Sequence, residues 1–277
     1  MTKKMGPTAD APVLRYYDIG PGVTAFSTTR YGGYSSGPYG GMNVNRWCGD
    51  DPETVARNMT ALGNTLWPDK YKDGKIVIPH QTHGTKVVHV DSKLMAMSIT
   101  ERDKALESTD ALMTDIEDVC IGVSTADCIP VLLYDNEHRA VCAVHAGWRC
   151  TVERITEKAV GAMTETFDTN PSRLKAVIGP GISLEAFEVG DEVYEAFTDA
   201  GFCMETISRH KDKWHIDLWE CNRHQLINTG IPQTNITIDG TCTYANHEMF
   251  FSARRLGTAS GRIFTGIIVR SAHQERH

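Results

Sequence analysis

Four short apolar segments between residues 111 and 145 constrain the fold more than anything else in the chain. Ala111–Thr114, Val119–Ser124, Cys128–Tyr134 and Arg139–His145 are rich in Val, Ile, Leu and Cys and are separated only by turns. Segments of this length and composition read as strands. Strands that follow one another without a helix between them can pair antiparallel, whereas parallel pairing needs longer crossovers. Helical patterns do occur elsewhere. Asp51 caps a helix with Pro52 in its first turn and Val55, Met59, Leu62 and Leu66 as its apolar stripe. A second runs from about Thr151 to Phe167, and others lie near 190–200 and 218–229, the last stopped by Gly230. Further strands are expected at Val23–Thr28, Ile76–Pro79, Lys86–Val90, Leu174–Ile178, Asn235–Ile238 and Ile263–Val269, with a polar surface excursion over 92–109. Grouped strands mixed with helices predict an α+β fold. No Pro/Ser/Gly-rich linker divides the chain, so residues 13–277 are expected to form one domain behind a disordered lead-in over 1–12.

The last two segments flank Asp135-Asn-Glu-His138, a four-residue hairpin loop. Pairing Tyr134 with Arg139 would put Cys128 opposite His145. Opposed residues of an antiparallel pair have Cβ atoms about 4.5–5.5 Å apart, a spacing that suits two ligands of one metal or a Cys–His couple. His83, in the tight turn Gln81-Thr-His-Gly84, supplies a second imidazole. Each residue alone is better explained as an ordinary core or surface residue than by chemistry. Together, two imidazoles and a thiolate drawn from separate segments form a ligand set that zinc accepts with a fourth position open, a pattern of catalytic rather than structural sites. His80 is the rival for the place of His83. Asp127 is either a strand-end cap or the carboxylate that orients a ligand imidazole. Arg149, after Gly147-Trp148 and just before a helix N-terminus, is the first candidate for binding an anion such as phosphate; the alternative is a surface arginine packed on Trp148.

Composition excludes more than it proposes. With 277 residues, a formal charge of -7 and no apolar run of membrane-spanning length, neither nucleic acid nor membrane is an expected partner. Eight scattered cysteines without a C-x-x-C pair, in a chain whose first residues lack a signal-peptide apolar core, fit a reduced, cytoplasmic setting. The P-loop, G-x-G-x-x-G, G-x-S-x-G, H-E-x-x-H and nucleobase-deaminase signatures are missing. So are H-x-H pairs, which argues against the cluster of a true multi-copper laccase.

At the level of whole motifs the chain resembles the YfiH-like family, long labelled "laccase-domain" or "polyphenol oxidase" and now regarded as purine nucleoside phosphorylases. The resemblance spans about Val23 to Val269. It is carried by Gln81-Thr-His-Gly84, Asp110-Ala-Leu-Met-Thr114, Thr125-Ala-Asp-Cys-Ile-Pro-Val131, Val144-His-Ala-Gly-Trp-Arg149, Gly179-Pro180, Asp217-Leu218, Cys242-Thr-Tyr244, Phe250-Phe-Ser252, Arg254-Arg255 and Gly261-Arg262. It implies an α/β/β/α sandwich of mixed sheets and a catalytic metal, usually zinc, on His83, Cys128 and His145. It also implies phosphorolysis of adenosine, inosine and S-methyl-5′-thioadenosine to free base and ribose 1-phosphate or its methylthio analogue, with adenosine deamination as a side activity. Asn43, in the glycine-rich stretch 30–43, is a candidate contact to base or ribose. Cys150 and Gly181 depart from the family pattern, where Gly and Cys are usual, and put phosphate affinity in question. The rivals are a hydrolase or deamidase with Cys128 as nucleophile, a copper-dependent polyphenol oxidase, and a non-enzymatic binding module. The oligomeric state stays open, with a monomer favoured.

Overall fold

Period-two alternation in the central hairpin decides the layering. In the computed structural model, which describes residues 11–68 and 70–271, strands Ile129–Asp135 and Ala140–Ala146 pair antiparallel. Residues 1–10, most of the expected lead-in, lie outside the described residues. Val131, Leu133, Cys142 and Val144 turn to one face of the hairpin, and Leu132, Tyr134, Val141 and Ala143 to the other. All eight are fully buried. Both faces must therefore be covered, and burying each large side chain contributes about 1.5–3 kcal/mol.

The first face packs on helices Ile155–Phe167 and Leu218–Asn228 through Ile155, Ala159, Met163, Cys221 and Leu226. The second meets another sheet through Ala25, Ile121, Val123 and Ile267. The far side of that sheet, with Phe26, Cys120, Phe264 and Ile268, receives Leu62 and Leu66 of helix Pro52–Leu66. The order is helix, sheet, sheet, helix. The α+β sandwich expected from the sequence is the fold observed. The hairpin sits inside a six-stranded sheet ordered Ile236–Ile238, Lys175–Ile178, Ile129–Asp135, Ala140–Ala146, Ala111–Thr114, Val87–His89. Its partner has five strands, in the order Leu14–Tyr17, Val23–Thr28, Ile263–Val269, Cys120–Thr125, Ile76–Val77.

The hairpin register differs from the expected one. Asp135 pairs with Ala140 and Tyr134 with Val141, so the loop is Asn136–Arg139. The Asp135 carboxylate explains the shift. It accepts the N–H groups of Glu137 (2.9 Å) and His138 (3.2 Å) and contacts His138 Nδ1 at 2.8 Å, while Arg139 closes the turn at φ 52°. Pro130, not Cys128, stands opposite His145. The helix expected over 151–167 is two helices, Trp148–Val152 and Ile155–Phe167. Arg154 breaks it at φ 63°, its guanidinium drawn 2.6 Å from Ala200 O and stacked 3.8 Å above the Phe202 ring. Strand Leu14–Tyr17 and a small sheet of Glu188–Val189, Trp214–Ile216 and Ser208–His210 were not expected. Within 92–109, Ser98 and Glu101 form a capping box that starts helix Ile99–Ala105.

Burial alone would raise the Asp135 carboxyl, but bonds from Thr169, His138 and the turn N–H groups hold it below its usual range. A depressed carboxyl contributes stability that is complete above the ordinary carboxylate range and is lost as pH falls through its folded pKa. Asp135→Ala is expected to cost about 1–3 kcal/mol at neutral pH, seen as a lower urea midpoint. The gap from the parent protein should narrow on acidification; a gap that widens would contradict this account.

Candidate active site

His145 is the penultimate residue of the second hairpin strand, and two antiparallel neighbours frame that strand. The pairing of Ala111 with Val144 carries Asp110 to a position beside His145, whose N–H donates to Asp110 O at 2.8 Å. Cys128 lies just before the first hairpin strand, after Asp127, which takes φ 90°. His83 occupies the tip of the 80–86 loop at φ 64°. These three separate pieces of chain converge. The donor atoms of His83, Cys128 and His145 all lie within 4.8 Å of one another, and His83 Nε2 is 3.8 Å from Cys128 Sγ. The two imidazoles meet edge to face, their centroids 4.9 Å apart. His145 is buried, Cys128 half-buried and His83 exposed, so the cluster opens to solvent on the His83 side.

Asp110 was not singled out as a site residue. It is fully buried, and its Oδ1 lies 2.7 Å from His145 Nδ1. The signal that could have found it is the strand register: antiparallel pairing of 111–114 with the second hairpin strand places it next to His145. Asp127 bonds neither histidine and does not cap its strand. Its carboxylate accepts from Thr243 Oγ1 at 2.6 Å and Arg254 N at 2.7 Å, tying the segment before Cys128 to a distant helix start. His80 stays out of the cluster, stacked on Trp47 and 2.7 Å from Glu107 Oε1.

The electrostatics form a chain of alternating charge. Burial opposes ionisation of Cys128, yet the neighbouring His145 and His83 outweigh it and bring the thiol down to about 6. Burial likewise disfavours the charged form of His145, but Cys128 and Asp110 flank the ring and hold its pKa well above the usual value. Asp110 is pushed up by burial and pulled below its ordinary range by His145 and the N–H groups of Gly84 and Thr82. Each of the three groups is thus shifted toward its charged form by its neighbours.

The donor set fits a metal ion. Tetrahedral zinc with bonds of about 2.3 Å to sulfur and about 2.0–2.1 Å to nitrogen separates neighbouring donors by roughly 3.3–3.6 Å, close to the His83–Cys128 spacing. Two nitrogens and a thiolate also suit copper. A second possible group, Asp110, His145 and Cys150, shares His145 and is wholly buried, and using it would break the Asp110–His145 bond. Uptake of an ion needs a thiolate and neutral imidazoles, so binding strengthens as pH rises.

The remaining candidates are placed as follows. Asn43 is fully buried and its amide is committed to groups beyond the glycine-rich stretch: Nδ2 to Asp50 (2.8 Å), and Oδ1 from the N–H groups of Asn45 (3.2 Å) and Arg262 (3.1 Å). Arg149 is exposed in the first turn of helix Trp148–Val152, its guanidinium 4.2 Å from the Trp148 ring centroid. Cys150 lies buried behind His145. A Cβ on Gly181 would meet Ile129 Cδ1 at 2.4 Å and Asp127 O at 3.0 Å, so a cysteine here requires the Ile129 side chain to move. A cavity of about 310 Å³, lined by Val55, Met59, Ile76 and Leu106 among others, holds none of the three donors.

A helix–sheet–sheet–helix sandwich with a His–Cys–His donor set at the end of its central hairpin defines the class of protein. The chain belongs to the family described as multi-copper polyphenol oxidoreductase laccase, whose model matches residues 24–270. A purine nucleoside phosphorylase from Bacteroides thetaiotaomicron is 43% identical, over 95% of this chain and 98% of that one. Adenosine deaminase RL5, from an unknown prokaryotic organism, is 42% identical over 89% of this chain and 94% of that one. The crystal structure of the Bacillus licheniformis hypothetical protein YfiH superposes with a TM-score of 0.87 at 30% identity, covering 95% of this chain and 98% of that chain. The YfiH-like resemblance read from the motifs is therefore the family relationship.

Gly147 lies against the cluster, and a Cβ on it would stand 2.9 Å from His83 Cδ2 and 3.0 Å from Cys128 Sγ. Gly147→Ala is expected to push two donors apart and weaken zinc binding about tenfold or more with the fold intact. Equal zinc affinity in a chelator competition would show that the cluster has room to spare.

Proposed function

We propose that this chain is a zinc-dependent purine nucleoside phosphorylase. It would cleave adenosine, inosine and S-methyl-5′-thioadenosine with phosphate, and deaminate adenosine as a side activity. The observation that carries the proposal is the convergence of His83, Cys128 and His145 within 4.8 Å, open on one side. The 43% and 42% identical relatives named for phosphorolysis and deamination supply the substrate class.

His83, Cys128 and His145 would hold the ion, and zinc there supplies Lewis-acid activation for attack at purine C6. The chain's own part is to fix charge in place. The Asp110 carboxylate holds Nδ1 of His145 and so turns Nε2 toward Cys128. The Cys128 thiolate would offset one of the two charges of the ion. Phosphorolysis develops positive charge at the anomeric carbon as the base departs, and a phosphate anion held against that carbon would stabilise it. Arg149, with its cation exposed at a helix start, is the proposed holder of phosphate. Asn43 would act through the shape of its loop, since its amide is already bonded to Asp50 and Arg262.

Incubation of the purified protein with adenosine, with and without phosphate, separates the activities. Adenine with ribose 1-phosphate, formed only when phosphate is present, is the expected result; inosine in either condition reports deamination. Cys128→Ala should abolish both while leaving the circular dichroism unchanged. Normal turnover by that variant would refute the assignment. Arg149→Ala should raise KM for phosphate about tenfold and leave deamination as it was, consistent with loss of one charge-assisted contact of about 1.5–3 kcal/mol.

One observation favours a second reading. A thiol lowered to about 6 beside a protonation-prone His145 is also the couple of a cysteine hydrolase. Activity that survives removal of metal but is lost on stoichiometric alkylation of Cys128 would select it.

A further inference from the structure

Asp110 commits each of its polar groups to the two histidine-bearing segments. Its N–H donates to Lys86 O at 3.1 Å, and its C=O accepts the N–H of His145 at 2.8 Å. On the side chain, Oδ1 takes His145 Nδ1 at 2.7 Å and the N–H of His83 at 3.0 Å. Oδ2 takes the N–H of Gly84 at 2.8 Å and, more weakly, that of Thr82 at 3.4 Å. The carboxylate thus sits inside the 80–86 loop, gathering three consecutive N–H groups, while it grips an imidazole from a strand some sixty residues onward.

The loop needs such a clasp. His83 stands at φ 64°, a left-handed conformation that costs about 1–2 kcal/mol for a residue with a Cβ. Its ring is exposed, with only the edge contact to His145 among the ring contacts of the described residues. On the other side, His145 offers one nitrogen to Asp110 and is left with Nε2 for the cluster.

We infer that Asp110 is the positioning residue that presets two of the three metal donors together, fixing the His83 turn and the ring orientation of His145 with one carboxylate. The inference rests on the proposed role of the triad as a metal site. Asp127, the carboxylate next to Cys128 in sequence, has no part in it. An amide cannot replace Asp110, because it offers one acceptor and one donor: whichever way it turns, either the imidazole or the loop N–H groups lose their partner.

The test uses the full chain stripped of metal, with zinc affinity read by competition against a chromophoric chelator. Asp110→Asn and Asp110→Ala should each bind zinc about 10–100-fold more weakly than the parent. Cobalt-loaded parent protein should show a thiolate charge-transfer band that weakens or shifts in both variants. Glu107→Gln, altered on the same segment but bonded to His80, should bind zinc like the parent. Affinities of the Asp110 variants within twofold of the parent would overturn the inference. Should both variants fail to fold, long-range proton–nitrogen spectra of the parent decide the matter. A slowly exchanging proton on Nδ1 of His145 supports the clasp, and a freely exchanging one overturns it. If the parent itself binds no zinc, the metal reading falls, and the same spectrum still decides for or against Asp110 as the clasp of His145.

Discussion

The structure depends on a hairpin that is dry on both faces. Strands Ile129–Asp135 and Ala140–Ala146 have no exposed residue, and their alternate side chains enter two separate cores. A strand pair in that position cannot slip: a one-residue shift would exchange every side chain between the cores. It also cannot carry unpaired backbone groups, so it is hydrogen-bonded on each side, to Lys175–Ile178 and to Ala111–Thr114. Rigidity at the centre is what lets the hairpin present chemistry at its end. Cys128, His145 and Gly147 lie where the ladder stops and the chain turns out of the sheet.

The site concentrates charge that the interior would otherwise reject. A buried imidazole, a buried carboxylate and a half-buried thiolate each have a cost of desolvation, offset because they touch one another in alternating sign. Such an arrangement is pre-shaped for a cation, which replaces the imidazole's proton as the positive centre. It also explains the coexistence of a metal reading and a nucleophile reading. Both need a stabilised thiolate, and they part company only over what sits beside it.

Much of this was legible in the residues. The apolar runs read at 111–114, 119–124 and 128–134 are too short for helices, and their grouping pointed to an α+β rather than an alternating α/β fold. The stripe of Val55, Met59, Leu62 and Leu66 behind Asp51–Pro52 marked its helix correctly, because cap, proline and period agree there. Less was visible where tertiary contacts override local pattern. Arg154 reads as a good helix former, yet its pull on Ala200 O and Phe202 splits the helix. Asp135 looked like a loop residue and instead is the last strand residue, because its carboxylate folds back over the turn.

The residues alone singled out the candidate donors and the fold class. His83, Cys128 and His145 stand out as residue types at the edges of short apolar segments, and both the alternation and the motifs exist in one dimension. Which groups meet, and which carboxylate serves them, was decided only by the tertiary structure. The register that sets Asp110 beside His145, and the loop path that wraps 80–86 around that carboxylate, depend on pairing between segments far apart in the chain. Asp127 and Asp110 look alike on paper. Only the packed fold turns one toward Thr243 and Arg254 and the other toward the histidines: Asp127 stands in a left-handed turn before its strand, and Asp110 immediately precedes a strand whose pairing with Val144 sets it beside His145.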